Sequence, residues 1–496
     1  MQTWDAIAVL PEIILTLAGI ATILLGAFQK SPNERSSGAM AHLGLLGAAV
    51  GITYQWGHAG PAFGGMLLVD SFSIFFHILF LIIAALVALA SSEYLTRENM
   101  PAAEYYALLL FATVGMGIMS SANDLIVIFI GLEISSLASY VLVGFRRDAP
   151  NSSEASLKYF LLGSFATAFL LYGIALLFGA TASTRLPQIR VALIGGHNAF
   201  TAALSPPPSV EFPASLVALA IALIFVGLSF KVSAAPFQVW TPDVYQGAPT
   251  PVTAFLSTGP KAAAFAAFLR IFMVGLAGSS GAWTWMIWIT ATLSMFVGNL
   301  AALLQLNVKR MLAYSSIAHA GYMLVAFTAH SSEGVAAVIF YLAGYTFMNI
   351  GAFVVVSHFG GEGERYVEID DYAGLGYRFP VLAACFSVFL LSLIGIPLTA
   401  GFFGKFYIFR AALRGDLVGL TVLAALNSGI AAYYYLRVLV AMYMTSPTRK
   451  VPCEPLRPAM WLALMICVAG TLFLGIFPQS VLNFVSRAAQ GLQTVP

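Results

Sequence analysis

Long apolar runs separated by short polar loops dominate this chain. A helix needs about 20 apolar residues to cross the hydrocarbon core of a bilayer. Windows of that size predict fourteen spans, at 6–28, 39–58, 67–92, 103–120, 123–145, 154–180, 213–240, 249–275, 284–304, 309–329, 334–358, 379–411, 417–444 and 457–478. Because the runs are continuous and do not alternate between apolar and polar residues, helices are favoured over barrel strands. The expected fold class is an all-α integral membrane protein.

The charge content agrees with this pattern. The 496 residues include 23 Lys and Arg and 21 Asp and Glu, so 9% are charged, while 60% are hydrophobic. Soluble domains carry about 25% charged residues. A soluble fold, a nucleic-acid-binding surface and a disordered chain are therefore excluded. The three cysteines show no metal-binding spacing and no disulfide framework.

Loop charges predict the orientation of the spans. Twelve Lys and Arg residues lie in odd-numbered loops, and five lie in even-numbered loops or the C-terminal tail. The positive-inside rule places the odd loops in the cytoplasm and both termini on the opposite side. No loop is long enough for a soluble domain, so residues 1–496 are expected to form one membrane domain. Its parts are three N-terminal helices (1–100), two sets of five spans (103–275 and 284–444), and a last helix with its tail (457–496).

Six basic residues remain inside the predicted spans: Lys158, Lys231, Lys261, Arg270, Lys405 and Arg437. Lys158 and Arg270 lie near span ends, where snorkelling to the interface and a buried role are both open. Arg437 is expected to pair with a neighbour or to snorkel, because a guanidinium does not deprotonate at useful pH.

Lys231, Lys261 and Lys405 lie deeper in their spans. Lys231 follows a long apolar run and precedes Pro236, which breaks the helix. Lys405 follows a Gly- and Pro-rich segment that a continuous helix tolerates badly. Lys261 is flanked by three alanines, which leave room for close helix contact or for water. Broken helices at membrane depth line buried or watery cavities and mark ion sites in transporters.

Glu133, ten residues into its span, is the matching carboxylate. An ionised lysine at mid-bilayer is costly, so it must lose its proton or find such a partner. Burial favours loss of the proton, and a nearby carboxylate favours its retention. These groups therefore suit proton transfer. A glutamate that only holds helices together is the alternative.

His319 is expected to relay protons between the two broken helices, although a lone buried histidine is often structural. The side chains that make a polar path plausible are Tyr314, Ser315, Ser316 and Tyr322. His42 and His77 lack such a setting and are expected to be structural. Glu12 and Asp70, near span starts, are expected to be helix-terminal.

Spans 4–8 and 9–13 suggest an internal repeat. In each set the fourth span (helices 7 and 12 of the chain) is broken and carries a lysine, Lys231 or Lys405. Since five is odd, the second set enters the membrane from the opposite side. Inverted repeats of this kind are typical of transporters.

Four segments resemble one protein family. The stretch from Lys231 to Lys261, with Trp240-Thr-Pro-Asp-Val-Tyr-Gln-Gly-Ala-Pro-Thr-Pro, is similar to the antiporter-like membrane subunits of respiratory complex I. Within that family, the amino-acid sequence of this stretch is most similar to chain N of bacterial NADH–quinone oxidoreductase, equivalent to mitochondrial subunit 2. The segments Glu154–Phe160, Ala313–Tyr322 and Pro397–Phe406 carry the same resemblance, which spans roughly residues 120–410.

The resemblance implies roles for the buried groups. Glu133 and Lys231 would form the pair of a first half-channel, Lys261 a central relay, His319 a connecting group and Lys405 the proton-exchange lysine of a second half-channel. Lys158 is a further candidate. The family often has histidine where this chain has Gln238, which cannot carry a proton. Either that histidine is not obligatory or water near Lys261 takes its place.

The resemblance also implies what lies outside this chain. FMN, the iron–sulfur clusters and the quinone site would belong to partner subunits, with no cofactor here, and no dinucleotide-binding motif is present. The implied partners are other membrane subunits of complex I, especially neighbouring antiporter-like and small membrane subunits, and lipids of the bacterial inner membrane. Two alternatives stay open: a subunit of a cation/proton antiporter, and a scaffold subunit that moves no protons.

Overall fold

The structure, a computed structural model, describes residues 3–29, 34–194, 214–447, 451 and 455–493. Nearly all of the secondary structure in these residues is helical. Twelve helices in these described ranges are long and apolar enough to cross a membrane. They are Leu10–Phe28, Glu34–Trp56, Ser71–Arg97, Ala102–Ser121, Leu125–Val143, Pro150–Thr181, Ala214–Lys231, Thr250–Arg270 (continued by a π turn to Gly275), Ser280–Leu303 (preceded by a 3-10 turn from Ala277), Ser332–Phe359, Val418–Met444 and Pro458–Ile476.

Shorter or more polar helices complete the described chain. They are Thr3–Ala8, Leu186–Ile194, Thr241–Gly247, Val308–Phe327, Leu375–Arg378, Pro380–Ile394, Ala400–Arg414 and Pro478–Gln493. One small antiparallel hairpin pairs Gly60–Ala62 with Leu67–Val69. This hairpin lies in a loop, and the described residues remain nearly all helical, in agreement with the expected all-α class.

Two of the fourteen predicted spans, 309–329 and 379–411, are not among the twelve. The first contains a 20-residue helix that carries several polar side chains, which lower its mean hydropathy. The second is divided into two helices of 15 residues each. The count of fourteen therefore stays a prediction. Lys30, Arg449 and Lys450, which enter the loop-charge count, and the polar loop around Pro206 lie outside the described residues.

Five helices position the candidate side chains and are named after them. They are the Glu133 helix (Leu125–Val143), the Lys231 helix (Ala214–Lys231), the Lys261 helix (Thr250–Arg270), the His319 helix (Val308–Phe327) and the Lys405 helix (Ala400–Arg414). The Lys261 and His319 helices are buried almost all round, as is Ser332–Phe359. A helix whose side chains are buried on every side must be surrounded by other helices. These three helices therefore form the centre of the molecule.

Helices are interrupted at both places where the sequence predicts a break. Lys231 is the last residue of its helix, and the chain becomes helical again only at Thr241. The helix that begins at Pro380 ends at Gly395, whose φ of +97° is left-handed and favours glycine. The Lys405 helix begins at Ala400. Both breaks leave backbone carbonyls without helical partners inside the protein.

A C-terminal helix, Pro478–Gln493, occupies the segment that was expected to be only a tail. Val485, Ala488, Ala489 and Leu492 are fully buried. Their spacing of three, four and seven residues is the signature of an amphipathic helix and could have predicted it. Phe484 of this helix stacks on Trp56 with ring centroids 5.3 Å apart. The helix therefore packs on the bundle.

Candidate functional site

Lys231 is held by hydroxyl groups of the Glu133 helix. Its Nζ donates to Ser136 Oγ at 2.7 Å and to Tyr140 OH at 3.2 Å. It also lies 5.4 Å from the centre of the Tyr140 ring, within the range of a cation–π contact. The lysine sits where its own helix ends, so a positive charge there also interacts favourably with the negative end of the helix dipole. The two hydroxyl groups, the aromatic ring and the helix dipole thus stabilise the ammonium of Lys231, although no carboxylate of the described chain contacts it.

Glu133 does not touch Lys231. Among the described residues, no ion pair within 4.0 Å includes Glu133. Ser136 and Tyr140 follow Glu133 by three and seven residues, so all three lie on one face of the helix. Glu133 Oε1 is buried and has no hydrogen-bond partner in the part of the chain that the structure describes. Glu133 therefore lies one helical turn from Ser136, the residue that binds Lys231, and does not contact the lysine itself.

A small cavity adjoins Lys231. It has a volume of about 20 Å³ and is lined by Ser135, Ser136, Ser139, Lys231, Pro260 and Ala264, among others. A space of this size holds about one water molecule, and the serines supply the polar partners that such a water needs. Pro260 and Ala264 belong to the Lys261 helix. The cavity thus lies between Lys231 and the helix of the next lysine.

Lys261 is fully buried and contacts only neutral groups. Its Nζ donates to the backbone carbonyl of Ser316 at 2.9 Å and makes a very short contact with Ser316 Oγ. Ser316 belongs to the His319 helix, one turn before His319 itself. Lys261 is therefore attached directly to the helix that carries the next titratable group.

His319 is bound by two tyrosines from two other helices. Its Nδ1 lies 2.5 Å from Tyr341 OH, and its Nε2 lies 3.1 Å from Tyr435 OH. Tyr435 OH also makes a very short contact with Ser315 Oγ. Both ring nitrogens thus have hydroxyl partners that can donate or accept a proton. The sequence analysis missed Tyr341 and Tyr435, which come from distant helices and carry no local signal.

Lys405 binds the broken end of the preceding helix. Its Nζ donates to the carbonyls of Leu393 and Ile394 at 3.1 and 2.8 Å, and to Ser428 Oγ at 2.8 Å. These carbonyls are available because the helix ends at Gly395. A Cβ added to Gly395 would lie 3.2 Å from Lys405 Cδ, so the glycine also leaves room for the lysine.

One face of the His319 helix connects these groups. Ser316, His319 and Tyr322 are spaced three residues apart and so lie on the same side of the helix. Ser316 binds Lys261, and the Tyr322 ring lies 4.9 Å from Lys405 Nζ. The structure thus brings Lys261, His319 and Lys405 together along one helical face. Lys231 joins this row through the cavity beside the Lys261 helix.

Lys158 does not belong to this buried row. Its side chain is 42% exposed and its Nζ lies 2.8 Å from both Glu154 and Asp243. Asp243 also binds Arg310 at 2.7 Å. Partial burial alone would raise the pKa of Asp243, but Lys158 and Arg310 have the larger, opposite effect. The pKa of Asp243 therefore lies below its ordinary value. Lys158 is therefore part of an exposed charge cluster at the end of the Lys231–Thr241 break.

Arg270 and Arg437 also find protein partners. Arg270 is completely buried and does not snorkel: its Nη2 binds both carboxylate oxygens of Asp70 at 2.9 and 3.0 Å. Asp70 also caps the helix Ser71–Arg97, as its position near a span start predicts. Arg437 donates to the carbonyl of Leu303 at 3.1 Å, which confirms a pairing role.

A second group of charges that the sequence did not reveal surrounds Glu364. Its carboxylate accepts from Lys309 Nζ at 2.7 Å and from the Thr250 N–H and hydroxyl at 2.8 and 2.6 Å. Burial alone would raise the pKa of Glu364, but Lys309 and the Thr250 hydrogen bonds lower it more, so it lies below the ordinary value. Glu364 thereby caps the N-terminus of the Lys261 helix and joins it to the His319 helix.

The loop residue Glu364 also continues a row of ion pairs. Arg146 lies 3.9 Å from Glu364 and 3.4 Å from Glu98, and Arg97 lies 3.6 Å from Glu98 and 3.7 Å from Glu93. Alternating charges of this kind neutralise one another where helix ends meet. They hold the end of the bundle from which the Lys261 and His319 helices start.

Comparison with known proteins places this geometry among respiratory membrane proteins. The family model for the transmembrane region of NADH:quinone oxidoreductase and Mrp antiporter subunits matches residues 122–431. NADH-quinone oxidoreductase subunit N 1 of Solibacter usitatus is 54% identical over 99% of this chain and 98% of its own length. Subunit N of Trichlorobacter lovleyi is 43% identical over the same shares of the two chains. A chain in the structure of respiratory complex I from Thermus thermophilus superposes with a TM-score of 0.79 at 37% identity, covering 96% of this chain and 99% of that one.

Proposed function

This chain belongs to the subunit N family of the NADH-quinone oxidoreductases, and we propose that it moves protons across the membrane along its row of buried titratable side chains. It is an antiporter-like membrane subunit of respiratory complex I. In this proposal the row consists of Glu133, Lys231, Lys261, His319 and Lys405. The observation that carries it is the face of the His319 helix, on which Ser316 binds Lys261 and Tyr322 adjoins Lys405.

The partners of the lysines support transfer over a purely structural role. A buried ion pair that only held helices together would bring each lysine into contact with a carboxylate. Lys231, Lys261 and Lys405 are each bound by hydroxyl or carbonyl oxygens instead. Such oxygens accept hydrogen bonds from an ammonium and also tolerate a neutral amine, so a lysine can change its charge without leaving a bare counter-ion.

A sequence of charge movements follows from this arrangement. A lysine amine that takes up a proton becomes a buried cation. Its charge repels the ammonium of the next lysine and so favours the release of that lysine's proton. The water-sized cavity beside Lys231 and the hydroxyls of Tyr341 and Tyr435 around His319 provide groups through which the proton passes. When Glu133 is ionised, it favours the charged form of Lys231. When Glu133 is protonated, this stabilisation is lost and Lys231 can release its proton. This chain performs no redox step; FMN, iron–sulfur clusters and quinone are assigned to partner subunits.

The finer topology is part of the proposal. Fourteen spans result if the His319 helix and the pair Pro380–Ile394 with Ala400–Arg414 each cross the membrane in addition to the twelve apolar helices. The two breaks, each beside a buried lysine, support two inverted five-span repeats in a single membrane domain. The distribution of loop charges supports a periplasmic position of both termini in the bacterial inner membrane. Neighbouring antiporter-like and small membrane subunits, and lipids, are the proposed contacts of the outer surface.

Lys405→Met in the complete complex tests the proposal. Methionine keeps much of the length and volume of lysine and cannot carry a proton. The complex is reconstituted in vesicles, and internal acidification and NADH oxidation are measured together. We expect fewer protons moved per NADH than in the wild type, while Arg414→Met, an exposed position on the same helix, leaves the ratio unchanged. An unchanged ratio in an assembled Lys405→Met complex would favour the scaffold alternative.

A further inference from the structure

Glu12 and His77 form a buried pair outside the lysine row. Glu12 Oε1 lies 2.8 Å from His77 Nε2, and both residues are at most 6% exposed. Glu12 lies in the first turn of its helix, as its position near a span start predicts, and His77 was expected to be structural. The structure brings them together from the helices Leu10–Phe28 and Ser71–Arg97.

Gly117 makes this contact possible. The pair lies against the helix Ala102–Ser121, and a Cβ added to Gly117 would lie 2.5 Å from Glu12 Oε1 and 3.1 Å from His77 Nε2. Only glycine lets the two side chains meet across that helix. His77 Nε2 is also within 3.3 Å of Ser121 Oγ. The local sequence is therefore fitted to a carboxylate and an imidazole in contact.

The pair has hydrogen-bonding capacity that the protein leaves unused. Glu12 Oε2 and His77 Nδ1 are both buried, and neither has a hydrogen-bond partner among the described residues. A pair that served only to join two helices would lose free energy through these two unsatisfied atoms. One atom on each side of the Glu12–His77 contact is thus available to take up or pass on a proton.

The charges next to the pair balance one another, so the charge of the pair itself has no counter-charge beside it. The adjacent residues Ser120 and Ser121 connect it to Arg270 and Asp70, because the Ser120 carbonyl accepts from Arg270 Nε at 2.6 Å. Arg270 and Asp70 bind each other and cancel in charge. Without an added proton, Glu12 and a neutral His77 would carry one uncompensated buried negative charge, which is costly. With one proton the whole group is neutral.

The pair lies beside the Lys261 helix at one end of the bundle. On the helix Ala102–Ser121, Gly117 adjoins the pair. The preceding residue, Met116, packs against Gly259 of the Lys261 helix, where a Cβ added to Gly259 would lie 3.0 Å from Met116 Sδ. Arg270, nine residues after Lys261, connects to the pair through Ser120 and Ser121. By the loop charges, this end faces the exterior.

We propose that the Glu12–His77 pair is a proton-release site for this chain, a role that rests on the proposed proton transfer. A proton that leaves the lysine row toward the exterior binds to the pair, as imidazolium beside carboxylate or as imidazole beside carboxylic acid. Moving it between Nε2 and Oε1 changes no net charge. The proton then leaves to external water and the pair is reloaded from the row.

Two substitutions separate this role from a structural one. Glu12→Gln keeps a hydrogen bond to His77 but cannot take up a proton, and His77→Gln keeps a hydrogen-bonding side chain next to Glu12. His58→Gln is the matched control, because His58 is an exposed histidine near the same end of the chain, with its ring near Trp4 and its Nδ1 near a backbone carbonyl. Lys405→Met is measured in parallel as the reference for the proposed function.

Proton translocation per NADH in reconstituted complexes gives the answer. We expect Glu12→Gln and His77→Gln to lower it as much as Lys405→Met does, and His58→Gln to match the wild type. Normal translocation in both variants, with a loss in Lys405→Met, overturns the release site and leaves the proposed function intact. Normal translocation in all three overturns both proposals, and failure of both pair variants to assemble assigns the pair a structural role.

Discussion

The ammonium of Lys261 donates a hydrogen bond to the backbone carbonyl of Ser316 at 2.9 Å, one turn before His319. A helical carbonyl has two lone pairs, so it can accept from lysine as well as from the helix. No carboxylate fixes the charge of Lys261 among the contacts in the described chain. The lysine can therefore gain or lose a proton while it keeps its position against the helix that carries His319.

Glu133→Gln should impair translocation without weakening the fold. Glu133 is in no ion pair, and one of its buried oxygens lacks a partner, so the substitution removes a charge and breaks no salt bridge. We expect an unchanged or slightly higher melting temperature of the detergent-solubilised complex, together with fewer protons moved per NADH. Glu154→Gln, at an exposed carboxylate, is the control for the change in charge. A large drop in melting temperature would instead assign Glu133 a structural role.

Tyr435→Phe should slow proton transfer through His319. The substitution removes the hydroxyl 3.1 Å from His319 Nε2 and leaves that buried nitrogen without this partner, at a cost of about 1–3 kcal/mol. The expected result is a lower translocation rate and a lower melting temperature. Tyr433→Phe, at a residue on the same helix that is 63% exposed, should affect neither. Equal behaviour of the two variants would show that Tyr435 takes no part in the path.

Arg270→Ala should destabilise the protein strongly. It leaves Asp70 buried without its guanidinium, and breaking a buried pair on one side costs about 3–5 kcal/mol. Arg414→Ala removes an arginine whose side chain is 62% exposed, for which about 0–1 kcal/mol is expected. Thermal unfolding of the solubilised complex compares them. Equal melting temperatures would contradict the importance of the Asp70–Arg270 pair.

Glu364 should make stability depend on acid pH. Burial alone would raise its pKa, but Lys309 and Thr250 lower it to below the ordinary value of 4.5. A carboxyl group whose pKa is lower in the folded than in the unfolded state stabilises the fold fully at pH values above its unfolded pKa. This stabilisation is lost as the pH falls through the folded-state pKa. Glu364→Gln should therefore lower the melting temperature at pH 7, and the difference from the wild type should shrink below pH 4.5.

The control for this prediction is Glu362→Gln, at an exposed carboxylate in the same turn. Its melting temperature should follow that of the wild type at every pH. A difference between wild type and Glu364→Gln that stays constant from pH 7 to acid pH would contradict the assigned role of the ionised carboxylate.

Much of the architecture could be predicted because a membrane span needs a long apolar run, and the two helix breaks follow from Pro236 and Gly395 in their own segments. Lys231, Lys261, His319 and Lys405 stand out because charged or polar residues are rare in such runs. Their partners could not be predicted. Tyr341 and Tyr435 reach His319 from other helices, and apolar periodicity does not specify which helices are neighbours. Glu12 and His77 are far apart in sequence and meet only through packing around Gly117.

The central claim is that a proton passes through the buried lysines, and Lys261→Arg tests it most directly. Arginine keeps the positive charge and the hydrogen-bond donors near Ser316, but it does not release a proton at physiological pH. The measurement is the number of protons moved per NADH oxidised by the complete complex in sealed vesicles. The account predicts an assembled complex with a clearly lower ratio than the wild type. A wild-type ratio in the arginine variant would contradict it.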